Sequence, residues 1–155
     1  MRKIFFVALL LFPLISFAQC AIPQDESLEP IQLAIKSNKP AYQSGVDGIT
    51  INVTITNKSA ESVYLFGDLS FSVVNNATKQ DMSAIMQDAM QEGQTLWLKR
   101  VLTGFESVNN EINFIPYNEL SKGEYTIVFS FNSVVGAEYN AVSAPITIEV
   151  TQGQR

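Results

Sequence analysis

Few side chains in this 155-residue sequence are suited to chemistry. There is no histidine, which removes Ser-His-Asp and Cys-His nucleophilic systems and every zinc site built on imidazole. Cys20 is the single cysteine; it lies beside a small-residue triplet near the N-terminus and has no second thiol with which to pair. No glycine-rich phosphate loop is present, and Gly45 and Gly48 read as turn residues. Carboxylates remain. Asp81, Asp88 and Glu92 fall within "KQDMSAIMQDAMQEGQ", the last two four residues apart. A pair could serve glycoside hydrolysis only across a cleft. Calcium would need six to eight oxygens, and the EF-hand spacing is missing. The pattern fits a solvated helix face. No catalytic residue, cofactor or metal ligand is assigned, and the chain is expected not to be an enzyme.

The same segment carries an apolar stripe. Met82, Ile85, Met86, Ala89 and Met90 recur at i, i+3, i+4, i+7 and i+8, which predicts a helix over about 82–91 with one apolar side. Asp81 is placed to cap its start and Gly93 to end it. Two roles follow for the stripe. It closes an open end of the domain and is buried, or it is a docking face, since methionine adapts to varied partners. On the docking reading Met82, Ile85, Met86 and Met90 bind the partner. Met86→Glu with Met90→Glu should then abolish capture and spare the fold.

The rest of the chain consists of strands. In "GITINVTITN" Ile49, Ile51, Val53 and Ile55 alternate with Thr50, Asn52, Thr54 and Thr56, the period-two signature of a sheet with one buried and one wet face. "PIQLAIKS", "SVYLFG", "LSFSVV", "TLWLKRVL", "EINFIPY", "EYTIVFSF" and "APITIEV" continue the series. "QSGVDG", "NKSAES", Gly67-Asp68, "LSKG" and "VVGAE" supply turns. Seven to nine short strands with polar turns predict one antiparallel β-sandwich over residues 30–151, with the helix inserted and 152–155 a disordered tail. No disulfide is available within the domain, so its hydrophobic core must hold it alone. Trp97 and Tyr64 lie in strands whose faces are not assignable from pattern, and on a wet face they could stack on carbohydrate. Asn52, Asn57 and Asn76 each begin an N-glycosylation triplet.

The N-terminus places the domain. Arg2 and Lys3 precede an apolar run from Ile4 to Ile15, and Ser16-Phe17-Ala18 follows. That is the layout of a secretory signal peptide over 1–18, and the run is shorter than the roughly 20 apolar residues of a bilayer-spanning helix. Cleavage after Ala18 would leave Gln19 as the first residue. "FAQC" also resembles the end of bacterial lipoprotein signals, in which the cysteine becomes the first residue and carries acyl chains. The resemblance implies lipid attachment at Cys20, with residues 19–29 as a flexible leader or tether. Both routes lead to export: periplasmic or secreted, or anchored as a lipoprotein. The formal net charge of −5 disfavours nucleic acid and charge-driven adsorption to anionic lipid, so membrane contact would come only through acylation of Cys20.

"KPAYQSG…ITINVTITNKSAESVYLFG" followed by "LSKGEYTIVFSF" resembles the immunoglobulin-like domains of bacterial exported proteins. The resemblance implies a structural tyrosine corner at Tyr125. Where antibody domains place a cysteine two residues later this chain has Ile127, so their disulfide is missing and the resemblance assigns Trp97 no packing role against it. "TITN…SVYLF…GEYTIVF" is also similar to small immunoglobulin-like proteinase-inhibitor and propeptide domains. The leading expectation is a non-catalytic envelope module that binds an unidentified protein. Second is a proteinase inhibitor presenting "FGDLS" or "VVGAE" as a loop. Third is a carbohydrate-binding protein or carboxylate enzyme.

Overall fold

The computed structural model describes residues 30–116, 120–134 and 139–152. The expected signal peptide, Cys20, the 19–29 leader, most of "VVGAE" and residues 153–155 lie outside the described residues.

Nine strands and one helix follow in the order β1 (Ile31–Ser37), β2 (Ala41–Gln43), β3 (Ile49–Asn57), β4 (Val63–Asn75), α1 (Ser83–Asp88), β5 (Trp97–Leu102), β6 (Ser107–Phe114), β7 (Gly123–Ser133), β8 (Asn140–Val142) and β9 (Ile146–Thr151). They form two layers. The first sheet has the order β1-β3-β6 and the second β2-β9-β7-β4-β5, with β8 also paired to β7. All pairings are antiparallel except β2 with β9. The chain thus changes sheets at each step from β1 to β4, and again between β5 and β6 and between β6 and β7. This is an immunoglobulin-like sandwich.

Alternation dictates the layers. Ile49, Ile51, Val53 and Ile55 of β3 are buried and meet Leu65, Leu69, Phe129, Phe131 and Ile148 of the other sheet in one core. At roughly 25 cal/mol per Å² of apolar surface removed from water, each such side chain contributes about 1.5–3 kcal/mol. Tyr125 is fully buried, and its hydroxyl donates to the Ser121 carbonyl four residues earlier at 2.8 Å. That bond ties the turn before β7 to the core, the local geometry of a tyrosine corner.

Three local readings of the sequence are corrected. Gly67-Asp68 is not a turn, because β4 runs unbroken for 13 residues. The glycine serves close approach: a Cβ at Gly67 would lie 1.9 Å from the Asn132 carbonyl oxygen of β7. The proposed inhibitor loop "FGDLS" is therefore the middle of a strand. The helix is Ser83–Asp88 rather than 82–91, because the backbone at 89–91 bonds to the end of β6. Ile115 N–H donates to the Ala89 carbonyl at 2.8 Å and Gln91 N–H to the Asn113 carbonyl at 2.9 Å. Finally, β6 begins at Ser107, four residues before "EINFIPY", since Ser107–Asn110 pair with β3 despite their polarity.

Asn57, which ends β3, is also outside what the pattern signalled. It is fully buried. Its Nδ2 donates to the carbonyls of Glu61 at 2.6 Å and Thr103 at 3.0 Å. Its Oδ1 accepts the Ser59 N–H at 2.9 Å and the Ser59 hydroxyl at 2.8 Å. Every polar atom of the amide is used, so this asparagine joins the β3–β4 and β5–β6 turns and is closed to glycosylation.

Candidate binding face on the second sheet

The outer faces of the two sheets differ in kind. On the first, polar side chains bond to one another across strands: Thr50 to Asn113 at 2.7 Å, Thr54 to Asn109 at 2.7 Å and Thr56 to Ser107 at 2.8 Å. Such ladders leave little unsatisfied and nothing apolar to cover. The second sheet is polar along β7 and β9 but aromatic at its β4–β5 end.

Register builds this end. Tyr64 opposes Val101, Phe66 opposes Lys99 and Asp68 opposes Trp97. These six alternate with the inward-facing Leu65, Leu98 and Leu102, so all lie on the outer face. Tyr64 is 67% exposed, Val101 45% and Trp97 39%. The Phe66 and Trp97 rings meet edge to face with centroids 5.1 Å apart, which holds both at fixed angles. Pairing of β7 with β4 stops at Gly67, whereas β5 accompanies β4 to Val63. Beyond β7, Val134 donates its N–H to the Phe66 carbonyl at 2.8 Å and adds another exposed apolar side chain.

Asp68 and Lys99 put one charge of each sign on this face. Lys99 Nζ lies 5.9 Å from the Phe66 ring centroid, and among the described residues it has no carboxylate partner. Arg100 is engaged, with Nη2 3.4 Å from Glu106 Oε1. Glu106 is held below the ordinary carboxylate range, chiefly by the Thr103 N–H and hydroxyl and then by Arg100. The same turn carries Phe105 at φ +62°, a backbone region bulky residues rarely adopt, with its ring 69% exposed.

The residues singled out by pattern fall elsewhere. Met82 and Met86 are 6% and 1% exposed, and Ile85 and Met90 pack half-buried against the core. The stripe closes the sandwich, and in this conformation Met82 and Met86 offer a partner no surface. Met82 N–H donates to the Val73 carbonyl at 2.7 Å, fastening the segment to β4. Asp81 precedes the helix and accepts the Ser83 N–H at 2.8 Å; the Ser83 hydroxyl and N–H hold its carboxyl below the ordinary range. Asp88 and Glu92 are exposed. Among the described residues no three acidic or thiol side chains gather as a metal ion would require. An open hollow of about 650 Å³ lies between the edges of β1 and β8 and is lined by Ile31, Leu33, Lys58 and Val142 among others. No described helix is long and apolar enough to cross a membrane.

The sandwich defines an immunoglobulin-like domain, with Tyr64, Trp97 and Val101 exposed together at the β4–β5 end of its second sheet. No protein-family model matches the chain, and no curated protein sequence matches it. Solved structures do. A family 123 glycoside hydrolase from Clostridium perfringens aligns over 79% of this chain and 27% of its own, with 11% identity and a TM-score of 0.49. Spo0M, a sporulation control protein from Bacillus subtilis, aligns over 78% of this chain and 49% of its own, with 14% identity and a TM-score of 0.47. A PapD-like domain of human CEP192 aligns over 99% of both chains, with 10% identity and a TM-score of 0.44. At such identity and overlap these likenesses bear on neither activity nor partner.

Proposed function

We propose that this chain is an exported, non-catalytic module of the bacterial envelope that binds a protein partner on the outer face of β4 and β5. One observation carries the reading: Tyr64, Trp97 and Val101 stand exposed together on a domain whose other sheet face is a closed polar ladder. Clustered tyrosine and tryptophan are the side chains that dominate binding energy at protein interfaces, individually about 2 kcal/mol or more when well buried. The edge-to-face Phe66–Trp97 pair limits the rotamer entropy lost on contact. A rigid sandwich with ligand contacts on one exposed region is the usual division of labour. Export and the envelope rest on the N-terminal sequence, and a role without catalysis rests on a sequence with no histidine for a nucleophilic system.

The test is site-specific photocrosslinking in the native host. A photoreactive residue replaces Tyr64, and in separate chains Thr54 of the polar sheet or Thr147 of β9. A discrete protein adduct from position 64 alone is expected. Silence at position 64, or equal adducts at the control positions, would refute the assignment.

A further inference from the structure

Resting on that reading, we infer that the partner contributes an extended acidic segment, which adds to the free edge of β5 as a further strand and sets a carboxylate against Lys99. The strand order of the second sheet ends at β5, and among the described residues nothing pairs its outer edge. The β4–β5 register is one-to-one from Val63–Leu102 to Asp68–Trp97, without a bulge, and β5 contains no proline. The Trp97 N–H is taken by the Thr95 hydroxyl at 3.0 Å, so the template that another chain would find is the outer N–H and C=O groups of Lys99 and Val101.

Charge decides which chain fits. Lys99 and Arg100 sit at the centre of β5, and mid-strand lysine is a common guard against edge pairing. In a second copy of β5 paired antiparallel about this centre, with both outer faces on one side, Lys99 would face Lys99, and like charges directly opposite are destabilising. The edge thus rejects itself. A guard alone, however, needs no exposed tryptophan and valine on either side of it. Arg100 is committed to Glu106, while Lys99 is free to receive a carboxylate. A strand laid along β5 would present alternate side chains to Trp97, Lys99 and Val101, so the matching pattern is apolar, x, acidic, x, apolar. Asp68 lies on the same face and Arg100 is paired with Glu106, so the complementarity to a carboxylate rests on Lys99 alone, between Trp97 and Val101.

Trp97 is the sole tryptophan and reports the site directly by fluorescence. The probes are soluble ten-residue peptides of alternating valine and threonine with a central glutamate, the same peptides with lysine, and the glutamate peptide N-methylated at alternate amides. Saturable change in Trp97 emission is expected with glutamate, at least tenfold weaker with lysine, and at least tenfold weaker after N-methylation of the bonding edge. Lys99→Glu should reverse the preference, and Lys99→Gln should remove it; Lys99 is exposed, and circular dichroism checks the fold. Unchanged preference in Lys99→Glu, or undiminished binding of the N-methylated peptide, overturns strand addition. So does an acidic oligosaccharide (oligogalacturonate) that shifts Trp97 while no peptide does, which would assign the face to carbohydrate. Loss of peptide binding with a Tyr64-specific protein adduct sinks this inference alone, whereas absence of both sinks the parent reading.

Discussion

Gly67→Ala is a small change with a large expected cost. The added Cβ would lie 1.9 Å from the Asn132 carbonyl oxygen, 2.8 Å from its carbonyl carbon and 2.9 Å from Ser133 Cα. Carbon and carbonyl oxygen ordinarily approach to about 3.3 Å, so the overlap is about 1.4 Å and every obstacle is backbone. No rotamer relieves it. The strands must separate, stretching ladder bonds beyond the ~3.2 Å at which an N–H···O bond is sound. Overpacking costs about 1–3 kcal/mol and each weakened ladder bond about 1 kcal/mol. Reduced freedom of the unfolded alanine chain returns about 0.4–1 kcal/mol. The net expectation is a loss of about 3 kcal/mol, from a total that for such domains is about 5–15 kcal/mol. Urea unfolding followed by circular dichroism reads this as a midpoint lowered by roughly 2 M, for a slope of about 1.5 kcal/mol per M. Ser70→Ala, at an exposed position on the same strand, is the control and should change the midpoint little. A Gly67→Ala loss below about 1 kcal/mol would mean that β4 and β7 are not in the contact described.

Asn57→Ala should lower stability by about 2–4 kcal/mol, because it strands the Glu61 and Thr103 carbonyls and the Ser59 N–H; a Tm within 2 °C of the parent would refute the hub role. Acid should weaken the fold. The carboxyls of Asp47, Asp81 and Glu106 are all held below their ordinary values, Asp47 chiefly by its bond with Lys39. Groups with depressed folded values stabilise fully above their unfolded values, about pH 4, and lose that contribution as pH falls through the folded ones. Denaturation midpoints should therefore be level from pH 7 to 5 and fall below about pH 4. Asp47→Asn should flatten the decline, and an unchanged slope would count against the assignment.

Strand periodicity exposed much of the fold, because a one-sided sheet writes its burial into alternate residues; Ile49–Ile55 and Tyr125–Phe131 are plain cases. What escaped was set by backbone contacts. Gly67 has the composition of a turn, yet its role depends on Asn132, 65 positions away. The stripe at Met82–Met90 is helical in period, but pairing with β6 took its last residues. The proposed binding face was half visible. Tyr64 and Trp97 were candidates, but only the β4–β5 register shows that they share a side and flank Lys99. A strand at the sheet edge can expose the same pattern a central strand buries.

The parallel pairing of β2 with β9 has a mechanical meaning. Glu149 N–H reaches the Pro40 carbonyl at 2.9 Å and Ser44 N–H the Thr151 carbonyl at 2.8 Å, on either side of the Ala41–Gln43 and Glu149–Thr151 register. Because the strands run the same way, the chain enters β2 at one end of the pair and leaves β9 at the other. Tension applied across the domain would load these bonds together in shear, rather than opening them one at a time like a zip. The β2–β9 patch lies on the sheet edge opposite β5 and shares the load with the seven-residue pairing of β1 with β3, so the aromatic edge stays outside the line of force.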